Sequence, residues 1–219
     1  MRVLITGADG FIGKNLQLLL SERAGLEVVP FTRAQSASEL PLLLKGVDFV
    51  FHLAGVNRPQ DPAEFYAGNA DLTSALCDAL RQQVDDNGAR PGVVFTSSTQ
   101  ALRDNDYGRS KRQAEDVLRQ LGRDTGKWCK PNYNSAVATF CHNIARGLPI
   151  TIHDPSAAVT LVYVDDVLRH FVQLMDGGTV SLDAEGFAEV HPQYSTTVGE
   201  LARQIQAFRD SRQTLVTER

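Results

Sequence analysis

The sequence predicts an α/β chain built on a doubly wound parallel sheet with a small C-terminal substrate-binding part, and three observations predict it. Short β-branched runs alternate with longer amphipathic ones through the N-terminal half. The short runs are nearly continuous Val, Ile, Leu and Phe, as in strands covered by helices on both faces. A glycine-rich stretch, ITGADGFIG, stands directly after the first of these runs and at the start of the first amphipathic one.

The elements follow in order. RVLIT reads as the first strand, and its helix runs from about Phe11 to Arg23. EVVPF and VDFVFHL are the next strands, a helix spans about Asn69 to Gln83, and GVVFTSS is a further strand. From Tyr107 to Leu121, Ala114, Val117, Leu118 and Leu121 form an apolar helical stripe beneath a charged face. KWCKPNYNS, residues 127 to 135, reads as an aromatic loop, followed by a helix from Ala136 to Arg146 that Gly147 can terminate. PITIH is expected as a strand and LVYVDDVLRHFVQLM as a strand running into a helix. TTVGELARQIQAF is expected as a last helix with Thr197 as its cap. The expected division is residues 1–126, carrying cofactor and catalytic groups, and residues 127–219, interleaved with that core and binding substrate.

Length and composition bound the function. A chain of 219 residues buries one sizeable core. Its 22 basic and 26 acidic residues, a net charge of −4, argue against a nucleic-acid or membrane-surface partner. Cys77, Cys129 and Cys141 stand singly without ligand spacing, and His142, His153, His170 and His191 are scattered, so no metal site is expected. With no leader-like start and no long apolar run, a cytoplasmic location is expected.

Gly7, Gly10 and Gly13 have the placement of a dinucleotide loop. Glycine there permits a tight turn, close approach of backbone to a pyrophosphate and close packing of helix on strand, while the helix N-terminus supplies free N–H groups. Asp9, Phe11 and Ile12 lie in the same loop. The fold expected is therefore Rossmann-like, with ligands at the carboxyl ends of the strands. The second strand ends in PFTRAQ with no acid. Arg33 stands 20 residues beyond Gly13, and its guanidinium suits a ribose 2′-phosphate, which favours NADP(H) over NAD(H), although Thr32 alone would serve either.

Tyr107 and Lys111 share one helical face. That spacing alone is common, but here FTSST precedes it and brings Ser97, Ser98 and Thr99 to the sheet's carboxyl edge. The helix end and a neighbouring ammonium are expected to favour the Tyr107 phenolate, bringing an ordinary value of ~10 toward the working range of an acid/base.

The GxxGxxG spacing, FHLAG at Phe51–Gly55, Asn69 in GNADLT and the Ser-Tyr-Lys set together resemble the extended short-chain dehydrogenase/reductase family. The resemblance implies that Leu53, Ala54 and Gly55 pass the adenine and ribose, that Asn69 is the central-helix asparagine, and that Ser97 lies at the cofactor. It further implies that Ser98 polarises the substrate carbonyl with Thr99 as understudy, that Tyr107 exchanges the proton, and that Lys111 holds the nicotinamide ribose. His52 reads as a packed strand-end histidine rather than a catalytic one.

Tyr107 follows Ser98 by nine positions, and TQALRDN offers only Asp104, so the acidic pair of dehydratases is missing. That short gap, FHLAGVNRPQDPAEFYAGNA and GKWCKPNYNSAVATFCHNIARG resemble a narrower group. These are the NADPH-dependent reductases that act on C4 of a UDP-2-acetamido-2,6-dideoxy-hexulose for bacterial capsule or O-antigen. The resemblance implies Asn57, Arg58, Asn132, Tyr133 and Asn134 at the sugar, Lys127 and Lys130 at the diphosphate, and a homodimer through the helices near 69–83 and 107–121. Three departures stand out. Only GRDTG separates Leu121 from Lys127, where the family has another strand and an Arg-x-x-Asn segment. Val159–Val162 replace a diphosphate-binding arginine. The narrower group also carries a C-terminal cupin domain, so the chain is either a separate reductase domain or part of a longer protein. Two rival functions are a sugar-nucleotide 4-epimerase that retains its cofactor and a non-catalytic NADP-binding regulator.

Overall fold

The computed structural model describes residues 1–57, 59–83, 90–125, 136–182 and 187–211. Strand β1 (Arg2–Thr6) leads into α1 (Phe11–Ser21), then β2 (Glu27–Phe31), a short α2 (Leu40–Leu43) and β3 (Phe49–His52). Next come the single turn α3 (Ala63–Phe65), a π-helical turn over Tyr66–Asp71, α4 (Leu72–Arg81), β4 (Gly92–Phe95), a 3₁₀ turn at Thr99–Leu102 and α5 (Asp106–Thr125). The chain continues with α6 (Ala136–Ala145), β5 (Ala158–Leu161), α7 (Val164–Met175), β6 (Tyr194–Thr197) and α8 (Val198–Ser211).

Among the described residues the main sheet is parallel, with strand order β2-β1-β3-β4. Strand β1 lies inside it, and Val3, Leu4 and Ile5 are fully buried, which is why the run shows no polar alternation. Leu4 and Val50 join the cluster that includes Leu40, Leu76, Leu80, Ala114 and Leu118 from α2, α4 and α5. On the opposite face the Phe51 ring meets Phe171 of α7 at 5.6 Å and Phe49 at 5.0 Å. Helices on both faces make this a doubly wound, Rossmann-like sheet. Its carboxyl ends, at Thr6, Phe31, His52 and Phe95, bring the loops after each strand to one edge.

The chain divides into two compact units, Met1–Tyr133 with Val164–Val190, and Asn134–Tyr163 with His191–Arg219. The second has its own small core, in which Phe140, Ile144, Leu201 and Ala202 are packed by Ile150, Ile152, Leu161, Val198 and Ile205. Its strands β5 and β6 pair antiparallel, Ala158 opposite Thr197 and Leu161 opposite Tyr194. The strand expected at PITIH does not form. Ile150 and Ile152 do turn their side chains to the core, but that stretch finds no ladder, and the strand of this unit begins instead at Ala158, beyond Pro155. The expected cap of the last helix is present: Thr197 Oγ1 accepts from the Glu200 amide at 3.2 Å. No helix among the described residues is long and apolar enough to cross a membrane.

Candidate active site

The glycine loop is shaped by two positions. Gly7 has φ +68°, a left-handed conformation, and a Cβ there would stand 2.7 Å from the Ala54 amide nitrogen. A Cβ on Gly13 would collide with the Gly7 carbonyl oxygen, so α1 lies directly against the loop. The Gly10 amide donates to Gly7 O at 2.9 Å and closes the turn. Gly10 caps α1 without a side-chain acceptor, and the first turn carries no acid, so main-chain N–H groups and positive helix potential are presented to an anion. Asp9 and Phe11 are exposed and Ile12 half-buried around this cradle. A pyrophosphate suits it, because the glycines let the loop fold tightly onto β3's exit and α1, and the donors are main-chain amides.

The loop after β2 is braced by Gln35, whose Oε1 accepts from the Thr32 amide at 2.7 Å and the Thr32 hydroxyl at 2.9 Å. Arg33 projects from it exposed, without a hydrogen bond or ion pair among the described residues.

His52 ends β3 fully buried. Its Nε2 lies 2.8 Å from Thr73 Oγ1, and Thr73 donates its own proton to the Asn69 carbonyl at 2.5 Å. Thr73 must therefore accept from His52 Nε2–H, which leaves Nδ1 to accept from Thr6 Oγ1 at 2.7 Å. Thr6 Oγ1 in turn accepts from the Ala54 amide at 3.1 Å. Burial, with a smaller contribution from the Lys111 charge, pushes the His52 pKa down to about 3, so the ring is a neutral pin between β1, β3 and α4.

Leu53, Ala54 and Gly55 continue from His52 along the sheet edge, and a Cβ on Gly55 would meet Asn69 Oδ1 at 3.0 Å and Lys111 Nζ at 3.1 Å. Asn69 is buried in the π-helical turn. Its Oδ1 accepts from the Val56 amide at 2.9 Å, and its Nδ2 donates to Val56 O and to Ser110 Oγ, each at 3.0 Å. The extra residue of a π turn re-aims a side chain, and here it delivers Asn69 to the strand exit. Asn57 is exposed beyond it.

Helix α5 brings the catalytic candidates together. Tyr107 lies in its first turn, half-buried, with its ring 5.6 Å from Phe65. Lys111, one turn on, is buried; its Nζ donates to Thr96 O at 3.1 Å and sits 4.9 Å from the centre of the Phe95 ring. That contact ties the Tyr-Lys helix to the segment that carries Ser98. Ser98 caps the 3₁₀ turn, its Oγ accepting from the Gln100 amide at 3.2 Å, which leaves the hydroxyl proton available to a substrate oxygen. Thr99 opens that turn. Ser97 is turned to the interior, its hydroxyl donating to Glu115 Oε1. Arg58, Lys127, Lys130, Asn132, Tyr133 and Asn134 lie outside the described residues. Among those described, no group of three or more His, Cys, Asp or Glu is placed to hold a metal ion.

The sequence reading passed over Glu115, Thr73 and Ser110. Glu115 had a signal, since it stands four residues after Lys111 and eight after Tyr107 on the same helical face.

Residues 3–181 match a family model described as the NAD dependent epimerase/dehydratase family. A UDP-2-acetamido-2,6-beta-L-arabino-hexul-4-ose reductase of Pseudomonas aeruginosa is 53% identical over 235 aligned positions, which cover 100% of this chain and 60% of that protein. The crystal structure of the capsular polysaccharide assembling protein CapF from Staphylococcus aureus superposes with a TM-score of 0.81 at 33% identity, covering 97% of this chain and 60% of that one. A dTDP-4-dehydrorhamnose reductase from Bacillus anthracis in complex with NADP shares the fold, with a TM-score of 0.73 at 19% identity over 95% of this chain and 81% of its own. The chain thus spans about three-fifths of the length of the first two relatives.

Proposed function

Because the chain belongs to the NAD-dependent epimerase/dehydratase family, we propose that it carries the reductase site of a nucleotide-sugar 4-ketoreductase, acting with NADPH on a UDP-2-acetamido-2,6-dideoxy-hexulose for capsule or O-antigen precursors. The observation that carries the reading is the bond from Lys111 Nζ to Thr96 O, which joins the Tyr107 helix to the Ser98 segment at the sheet's carboxyl edge. The 53% identity to a named 4-ketoreductase supports the substrate class.

The dinucleotide, when bound, supplies the hydride. Gly7, Gly10 and Gly13 with Asp9, Phe11 and Ile12 form its cradle, Thr32 and Arg33 read its ribose, and Leu53, Ala54, Gly55 and Asn69 line its path along the sheet edge, where Ser97 contributes backbone only. Ser98 donates a hydrogen bond to the C4 carbonyl oxygen and makes the carbon more electrophilic. Tyr107 passes its phenolic proton to that oxygen as the alkoxide forms. Lys111 places a buried cation behind the site, where it offers donors to a ribose. Arg33, exposed and unpaired at the end of an acid-free loop, supports NADPH over NADH. Asn57, Arg58, Lys127, Lys130, Asn132, Tyr133 and Asn134 are assigned to the sugar and diphosphate, within a division in which residues 1–126 hold cofactor and 127–219 hold substrate. Such a reaction belongs in the cytoplasm, with the chain paired through α4 and α5.

Loss of absorbance in the reduced-nicotinamide band, after mixing the chain with NADPH and a UDP-4-keto-6-deoxy-HexNAc, tests the reading. Tyr107→Phe is expected to lower turnover by roughly 10²–10⁴-fold while NADPH still binds. Turnover equal to the parent's would remove Tyr107 from the mechanism.

A further inference from the structure

Helix α5 meets the segment after β4 at four positions along its length. A Cβ on Gly108 would lie 2.5 Å from Gln100 O and collide with Arg103 O, so helix and 3₁₀ turn touch through backbone. Lys111 Nζ holds Thr96 O at 3.1 Å. Arg112 donates twice to Ala101 O, from Nε at 3.0 Å and Nη2 at 2.8 Å. Glu115 accepts from the Ser97 hydroxyl.

The Glu115 contact differs from the others. Both partners are buried, Glu115 with 7% and Ser97 with 4% of its surface exposed. A carboxylate taken out of water is costly unless hydrogen bonded, and the Ser97 hydroxyl supplies such a bond and fixes both groups. The contact also falls on the residue immediately before Ser98. Ser98 has extended backbone, φ −149° and ψ 142°, so neighbouring side chains leave the chain on opposite sides. With Ser97 gripped on one side, the Ser98 hydroxyl is held on the other, two residues from the carbonyl that Lys111 fixes.

We propose that Glu115 is a positioning residue of the reductase reaction, holding the Ser98 hydroxyl in register with Tyr107 through its grip on Ser97. The inference rests on the assignment of Ser98, Tyr107 and Lys111 above. Glu115 acts by length and by its acceptor oxygen, and its charge is secondary. At the corner from Thr96 to Ser98, a displacement of about an ångström is enough to cost roughly a hundredfold in rate.

Three variants of the full chain test this: Glu115→Asp, Glu115→Gln and Tyr107→Phe. Each is measured for kcat, for KM of the UDP-4-keto-6-deoxy-HexNAc, for NADPH affinity and for thermal unfolding. Glu115→Asp keeps the charge but is one methylene too short; its kcat is expected to fall roughly 10–100-fold, with KM and NADPH affinity within about threefold of the parent. Glu115→Gln keeps the length and an acceptor oxygen and is expected to restore most of kcat. Parent-like kcat in Glu115→Asp, or kcat in Glu115→Gln as low as in Glu115→Asp, overturns the proposal. So does a loss in Glu115→Asp that tracks the unfolded fraction alone. Full turnover by Tyr107→Phe would instead reject the catalytic assignment itself, so the two failures are told apart.

Discussion

His52 shows how a residue at the edge of the proposed site can be structural. Its folded pKa of about 3 lies below the ordinary 6.5, so between those values the unfolded chain binds a proton that the folded chain refuses. The stability contributed by this site is full above pH 6.5 and is lost as pH falls through that window. Urea midpoints measured near neutrality and at about pH 4.5 are expected to drop for the parent and to drop less for His52→Gln. Gly7 carries a second expectation, since its left-handed φ and the 2.7 Å approach to Ala54 leave no place for a methyl. Gly7→Ala should destabilise by about 1–3 kcal/mol in a denaturant titration and weaken dinucleotide binding as well. The glycine loop and the Ser98, Tyr107, Lys111 set were legible because their spacing is local: one strand exit, one helix start, one helical turn. Glu115 offered only its spacing from Lys111 and Tyr107, because an acid on a helix reads as solvated surface until the fold buries it against Ser97.

At the scale of elements, helical and strand periods located the parallel strands and the long helices. Two pieces escaped. The π-helical turn at Tyr66–Asp71 holds one residue more than an α-turn, and its cause is tertiary: the Asn69 amide pairs with both backbone groups of Val56, and Gly68 packs against the Val56 side chain. No local pattern encodes that. PITIH alternates as a strand does, and its isoleucines pack as a strand's would, yet pairing is decided by which backbone is near. The ladder forms between AVTL and YSTT, and YSTT has no apolar alternation to announce it. Gly108, where α5 touches the 3₁₀ turn, carries the prediction at this scale. Gly108→Ala should push the Ser98 segment away from Tyr107, lowering kcat roughly tenfold or more, with a smaller change in NADPH affinity, as steady-state and binding measurements would read out.

For the whole molecule, the parallel sheet delivers four strand exits to one edge, and the proposed cofactor choice and pairing are tested there and on the outer helices. Arg33→Ala should raise KM for NADPH about tenfold or more and leave that for NADH nearly unchanged, because a guanidinium on a phosphate monoester is the feature removed. Pairing through α4 and α5 predicts a sedimentation-equilibrium mass twice that of the chain at micromolar protein, whereas a monomer mass would dismiss it. The central claim, hydride delivery to C4 of a UDP-linked 4-keto-6-deoxy sugar, is tested most directly with NADPH carrying deuterium at the transferring position and NMR of the sugar product. One deuterium on C4 for each NADPH consumed is the predicted result. A sugar nucleotide epimerised or unchanged, with NADPH left unconsumed, would contradict it.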